Sequence, residues 1–363
     1  MAGQLVDAHY HITRTGELTR YKHMEELLDY KEKAGLRAVC IHNIIFFYSS
    51  RYLRNPLSLL AKAKSPKDLY VFGGLVFPEP QNQTEAYPYK EEVQKLLEMG
   101  CDGIKFLNKP LYKKEWSLPY YHENFDEMWD YLQKEQTPLM FHVGDPKEFW
   151  LKDKIPKVMY DAGWFYDESV PSYASFYEET DKILQKFPHL NLTIPHFYFL
   201  SDNLKRLRRF MEAYPNVQID ITPGSEMYYN FSVCQDEARA FFMDYHDRIL
   251  FGTDNFGSQS DGDWGKQLAA NQKKIEEMRA FLRQESCHFD GADLNGLHLT
   301  EAVVAEIESE NFFRWLPEEP KKVNLPAVEK MAEELLEKIK KKGDCPQVIP
   351  EFERTIEELR KIL

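Results

Sequence analysis

Cysteine is scarce in this 363-residue chain: five are spread along it, at Cys40, Cys101, Cys234, Cys287 and Cys345. The count is odd and no two stand as C-x-x-C, which speaks against a thiolate zinc site and a disulfide framework. Reduced thiols in a cytoplasmic setting are expected. Long apolar runs are missing too. Nothing approaches the roughly 20 residues of a membrane span. The opening "MAGQLVDAHYH" has no basic-then-apolar leader, so export is not expected. Positive charge is in deficit, with 46 Lys+Arg against 59 Asp+Glu. A net charge of -13 leaves no electrostatic footprint for nucleic acid or an anionic membrane. No G-x-G-x-x-G or Walker loop follows an apolar run, so dinucleotide-binding folds lose support.

What is present is a repeated alternation. Short β-branched or aromatic runs stand near 4–9, 37–43, 70–76, 102–107, 138–143, 191–197, 216–222 and 248–254. Charged stretches of helical period lie between most of them, among them "HMEELLDYKEKAG", whose Gly35 suits a helix C-terminus, and "SDNLKRLRRFMEAY", where Ser201 with Asp202 suits an N-cap. Eight strand–helix units predict a closed (β/α)8 TIM barrel over an open sheet. Further helical patterns follow strand eight. We divide the chain into a barrel domain, 1–320, and a helical extension, 321–363, packed on the barrel or on a partner. That amphipathic tail suits a homo-oligomer or a monomer whose tail folds back. An aromatic, Asp-rich insert near 144–173 is expected to cover the site.

In such barrels the chemistry sits at the C-terminal strand ends. Those ends carry His9 and His11 (strand one), Lys105 (four), His142 (five), His196 (six) and Asp254 (eight). Period-two alternation puts Asp7, His9 and His11 on one face, with Asp7 a hydrogen-bond partner behind the two imidazoles. It also turns Lys105 and His142 into the barrel. Imidazoles with one carboxylate suit a divalent metal, zinc first, with manganese or iron as alternatives. A lone strand histidine is more often a hydrogen-bonded core residue, and His42 is read that way. Asp220 is read as a hydrogen-bonding residue inside the barrel. His122, His189, His246, His288 and His298 are read as surface residues.

The D-x-H-x-H of strand one, the histidines of strands five and six, and the "GTD" of strand eight resemble the amidohydrolase superfamily. Within it they resemble the amidohydrolase-2 (amidohydrolase-related) branch, which includes aminocarboxymuconate semialdehyde decarboxylase, resorcylate decarboxylases, and lactone or amide hydrolases. "GLHLTEAVVAEIESENFFRWL" is similar to the branch's C-terminal helix, with bulkier residues after Asn311, and the likeness spans roughly 5–316. The resemblance implies a metal held by His9, His11, His142 and Asp254. It implies a second metal if Lys105 is carboxylated. His196 would be a further metal or oxyanion group, and Asp254 the acid–base residue. The expected activity is hydrolysis of a small carboxylate, lactone, ester or amide; the alternative is non-oxidative decarboxylation on the same site. A non-catalytic binding barrel would have lost these ligands. Arg14, Arg51 and Arg54 are candidate carboxylate contacts, and Trp164, Tyr166, Tyr173, Tyr228 and Tyr229 candidate walls.

Overall fold

The computed structural model describes residues 5–14, 17–224, 226–260 and 262–363. The first expected run starts at Gln4, outside the described residues; its strand, β1, spans Val6–His11. β2 (Ala38–His42), β3 (Leu69–Gly74), β4 (Gly103–Asn108), β5 (Leu139–Val143), β6 (Leu192–Ile194) and β7 (Val217–Asp220) follow, each parallel to its predecessor. The eighth strand is split. β8 (Ile249–Leu250) pairs with β7, and β9 (Asn255–Phe256) pairs with β1. Between them the Ala8 N–H donates to the Phe251 carbonyl (2.8 Å), and the Asp254 N–H to the His9 carbonyl (2.8 Å). The ring is therefore closed, as a (β/α)8 barrel requires. Gly252 permits the closure: a Cβ there would lie 2.7 Å from both His9 Cβ and Thr222 Oγ1.

The helices form the outer layer because the alternate strand residues are apolar. Val39, Ile41, Val71, Ile104, Phe106, Leu139, Phe141 and Val143 pack outward against them. The other face closes the floor: Val6, Ala8, Cys40, Phe72, Met140 and Leu250 meet Phe312, Trp315 and Leu316. The bulky residues after Asn311 thus plug the bottom of the barrel. Asn311 itself donates to the carbonyls of His246 and Ile249.

Three local readings need correction. The helix Leu204–Ala213 is capped by Asn203, whose side chain accepts the Arg206 N–H (3.1 Å), and not by Ser201 or Asp202. β6 stops at Ile194, and His196 opens a left-handed turn in which His196, Phe197, Tyr198 and Phe199 all have φ between 48° and 57°. Pro195 cannot extend the ladder, which ends the strand there. The third correction concerns β1. Its register steps from Asp7↔Val39 to Tyr10↔Ile41, so three residues advance where β2 advances two. This is a β-bulge, and it resets the alternation. Asp7 faces outward to Tyr30, while His9 and His11 face inward.

Beyond the barrel, an antiparallel hairpin joins Ser286–Phe289 to Ala292–Asn295. The helices Leu325–Lys342 and Ile349–Ile362 pair with each other and pack on the helix Arg54–Lys64. Among the described residues no helix is long and apolar enough to cross a membrane.

Candidate metal centre

His9 Nε2 lies 3.2 Å from His11 Nε2, and Asp254 Oδ1 lies 3.1 Å from His11 Nε2 and 4.0 Å from His9 Nε2. These residues offer three ligand atoms, all within 4.8 Å of one another. Their tautomers follow from the other ring nitrogen. His9 Nδ1 faces Asp220 Oδ2 at 2.8 Å, and His11 Nδ1 faces the His42 carbonyl at 2.6 Å. A carboxylate and a carbonyl only accept, so each Nδ1 carries the proton. Both Nε2 lone pairs are left to converge with the Asp254 carboxylate, the donor set a divalent metal takes. Asp220 is fixed in turn, its Oδ1 accepting the N–H groups of His196 (2.8 Å) and Thr222 (3.0 Å).

The other expected residues surround this cluster without joining it. Lys105 points into the barrel with Nζ 3.3 Å from His9 Nε2. His142 faces inward, but its Nε2 is 2.9 Å from the Gly144 carbonyl. The His196 ring lies 4.9 Å from that of His142 and 5.7 Å from that of His9, and its buried Nδ1 has no hydrogen-bond partner among the described residues. Asp7 leaves the site altogether. Its carboxylate accepts from Tyr30 OH (2.9 Å), Thr253 Oγ1 (2.7 Å) and the Thr253 and His9 N–H groups. It braces the bulge and the closing strand; the role behind the imidazoles falls to Asp220. His42 is structural, donating to the Ala8 carbonyl at 2.8 Å.

Electrostatics keep the imidazoles of His9, His142 and His196 neutral, the form that binds metal. Burial, then the Lys105 charge, holds His9 well below its ordinary value. Burial lowers His142 to about 4, opposed by Asp145, and lowers His196 to about 4 with the help of His142. Lys105 is brought down to about 8 by burial, against the pull of Asp220 and Asp254. Enclosure acts to raise Asp254. The His11 hydrogen bond and the rings of His11, His9 and His196 outweigh it and hold the carboxyl well below the usual range. Its side chain is 39% exposed, against 10% for His11 and 1% for His9, so it is the most open of the three.

The cluster floors an open cleft of about 1000 Å³. Arg14 and Arg51 line one side; Phe149, Met159 and Trp164 of the insert line another. Arg51 is 6% exposed, lies over the Tyr48 ring (4.3 Å) and donates to Tyr112 OH (3.0 Å). Arg54 serves the backbone instead, donating to the carbonyls of Ile44 (2.8 Å) and Arg14 (3.0 Å). Of the five aromatic candidates only Trp164 lines the cleft. Tyr166 is buried against Asp145, Tyr173 bonds Tyr177, Tyr228 stacks on Phe289, and Tyr229 is exposed. The insert carries its own small core of Phe149, Ile155, Tyr166 and Val170. Sequence reasoning missed what ties it down: Asp145, bonded by Lys109 (3.0 Å) and Tyr166 OH (2.6 Å). Lys109 Nζ also sits 3.9 Å over the Trp164 ring.

A closed β/α barrel with an inward His-x-His pair and a strand-eight aspartate defines the class. The chain belongs to the amidohydrolase family, whose model matches residues 6–311. No curated protein matches it. Similar solved structures include an uncharacterised TIM-barrel protein from Bordetella bronchiseptica, with 13% identity, covering 86% of this chain and 98% of that one, TM-score 0.53. A 4-oxalomesaconate hydratase from Rhodopseudomonas palustris has 15% identity, 91% and 99% coverage and a TM-score of 0.52. A dihydroxybenzoic acid decarboxylase from a Polaromonas species, solved with bound manganese, has 13% identity, 86% and 96% coverage and a TM-score of 0.52. At these identities they speak to the fold.

Proposed function

We propose that this protein is a metal-dependent hydrolase acting on a small carboxylate-bearing ester, lactone or amide. The observation that carries the proposal is the convergence of two oriented Nε2 lone pairs with a solvent-reaching carboxylate at the floor of an open cleft. His9, His11 and Asp254 would hold one divalent ion, zinc or manganese, with His142, His196 and Lys105 around it. A divalent ion held there would act as a Lewis acid and would lower the pKa of bound water towards about 7. Asp254, ionised and open to the cleft, takes the proton from the attacking water and returns it to the leaving group. His196, which lines the cleft, would donate to the developing oxyanion. Lys105 adds a cation beside it. Arg51, with one hydrogen bond from its fork among the described residues, takes the substrate carboxylate in a bidentate pair. The five free cysteines suit a reducing, cytoplasmic compartment.

A second reading is decarboxylation on the same floor. The lining of Arg51, Tyr48, Tyr112 and Phe199 favours it, since such a wall suits an aromatic acid. One experiment separates the two. Metal-reconstituted protein is offered esters, lactones and amides of aromatic and aliphatic acids, and in parallel 2,6-dihydroxybenzoate, the ligand of a solved decarboxylase of similar fold. Acid, alcohol or amine release without CO₂ supports hydrolysis. CO₂ release without hydrolysis replaces the first reading by the second.

A further inference from the structure

Residues 312–363 lie beyond the matched family region. The two terminal helices do more than cover the outside of the barrel. Their connecting turn, Lys342–Gly343–Asp344, is aimed by Gly343 at φ +69°, a left-handed helix end that glycine adopts freely. It meets the segment after β2. Asp344 Oδ2 accepts the Ser49 hydroxyl at 3.0 Å, and Lys342 Nζ reaches the Phe47 carbonyl at 3.5 Å. Lys342 also pairs with Asp344 (2.9 Å) and with Glu79 (3.0 Å), beyond β3. Ser49 and Arg51 belong to one 3-10 turn, Ser49–Arg51. The residue that enters the cleft and the residue the extension holds are therefore two positions apart on a single turn.

Arg51 depends on that turn. Its side chain makes one hydrogen bond, to Tyr112 OH, lies over the rings of Tyr48 (4.3 Å) and Tyr112 (5.4 Å), and has no ion pair among the described residues, so no charged partner fixes its fork and the turn shares that work with the two rings. Ser49 is buried, and its hydroxyl has Asp344 as its acceptor. A buried hydroxyl left without an acceptor would favour rearrangement of the turn. The second helix steadies the neighbouring loop in the same way: Glu351 accepts the Tyr21 N–H at 2.8 Å, and Arg354 lies 3.8 Å over the Tyr21 ring.

We infer that Asp344 and Ser49 are positioning residues, through which the C-terminal extension holds Arg51 in place for the substrate carboxylate. The inference rests on the reading that Arg51 faces substrate. The extension thereby sets substrate affinity while remaining outside the chemistry.

The test uses the full-length, metal-loaded protein and phenylglyoxal, which modifies arginine; modification of Arg51 and Arg54 is followed by peptide mass spectrometry. Asp344→Ala should speed modification of Arg51 by about two- to tenfold, the range one lost hydrogen bond supports. Arg54 and the metal content should not change. Asp344→Asn keeps an oxygen for the Ser49 hydroxyl and should restore protection. Ser49→Ala removes the same tether without leaving a buried hydroxyl and should speed modification in the same direction by a smaller factor, so the test survives if either variant folds poorly. An unchanged Arg51 rate in Asp344→Ala and Ser49→Ala, or a rise shared equally by Arg54, overturns the inference. Once a turnover substrate is in hand, Asp344→Ala should raise KM with kcat kept. Should Arg51→Lys leave KM unaltered, the reading of Arg51 fails while the reactivity result stands.

Discussion

Asp220 Oδ2 lies 2.8 Å from His9 Nδ1, although 211 residues separate them in sequence. That bond fixes which nitrogen of His9 is free to bind metal, and the same carboxylate accepts the backbone N–H of His196. One buried aspartate on β7 thus orients groups from β1 and from the segment after β6. Asp220→Ala should lower metal affinity about 10- to 100-fold, the usual cost of removing a partner behind a metal-binding histidine. Competition titration with a zinc indicator reads it. Undiminished affinity would mean that Asp220 does not orient His9.

The ligand cluster predicts stoichiometry. Protein purified without added metal or chelator should carry near one zinc or manganese per chain by elemental analysis. The His9→Ala/His11→Ala double variant should carry none while remaining folded. Two ions per chain would instead point to a carboxylated Lys105.

The buried histidines predict an acid-sensitive metal-free protein. His23, His142 and His196 each titrate near 4 in the fold, against 6.5 unfolded. Between those values the unfolded chain binds more protons, so stability falls as pH drops through 6.5 towards 4. At pH 5 each contributes a loss of about 2 kcal/mol relative to neutral pH. Asp7, raised to about 6 chiefly by burial, works the other way and returns about 1 kcal/mol. The urea midpoint of metal-free protein should therefore fall clearly from pH 7.5 to pH 5. A flat profile would contradict the neutral buried imidazoles.

Barrel closure predicts an intolerant glycine. Gly252→Ala would push a methyl against His9 Cβ and Thr222 Oγ1, both 2.7 Å from the new atom. Overpacking of this kind costs about 1–3 kcal/mol, and here it displaces a ligand-bearing residue. Melting temperature and metal uptake should fall together.

How far the sequence reaches can be read from these same residues. Periodicity placed most of the barrel strands because their outward rows are apolar and repeat; β6 and β8, three and two residues long, were read from their short apolar runs. It placed His9, His11, Lys105, His142 and Asp254 at the right ends for the same reason. It failed at Asp7, because a bulge is one residue out of step and leaves no periodic trace; what holds Asp7 outward is Tyr30 and Thr253, the latter 246 positions away. The helix Arg54–Lys64 went unread because Pro56 interrupts its pattern, yet proline in a first turn breaks no helical bond. The hairpin Ser286–Asn295 was announced by Asp290-Gly291, both at positive φ, a turn signal lost among helical patterns. The orientation of His142 towards Gly144 is a packing outcome with no local signature.

The insert supplies a last prediction. Asp145 is almost fully buried, 3.8 Å from His142 Nε2, and gathers Lys109 and Tyr166 from opposite sides. Asp145→Ala would strand the Lys109 ammonium and the Tyr166 hydroxyl in poorly solvated positions. Removing one partner of such a buried pair costs about 3 kcal/mol or more. The loss should be local, because the insert has its own small core and Trp150 still packs on Tyr173 and Phe176 of the following helix. Limited proteolysis should therefore cut the variant within 144–173 well before wild type. Its metal content should stay near that of wild type, since His9, His11 and Asp254 are held by Asp220, His42 and the closing strand instead. Loss of metal together with the insert would show instead that Asp145, through His142, belongs to the metal centre.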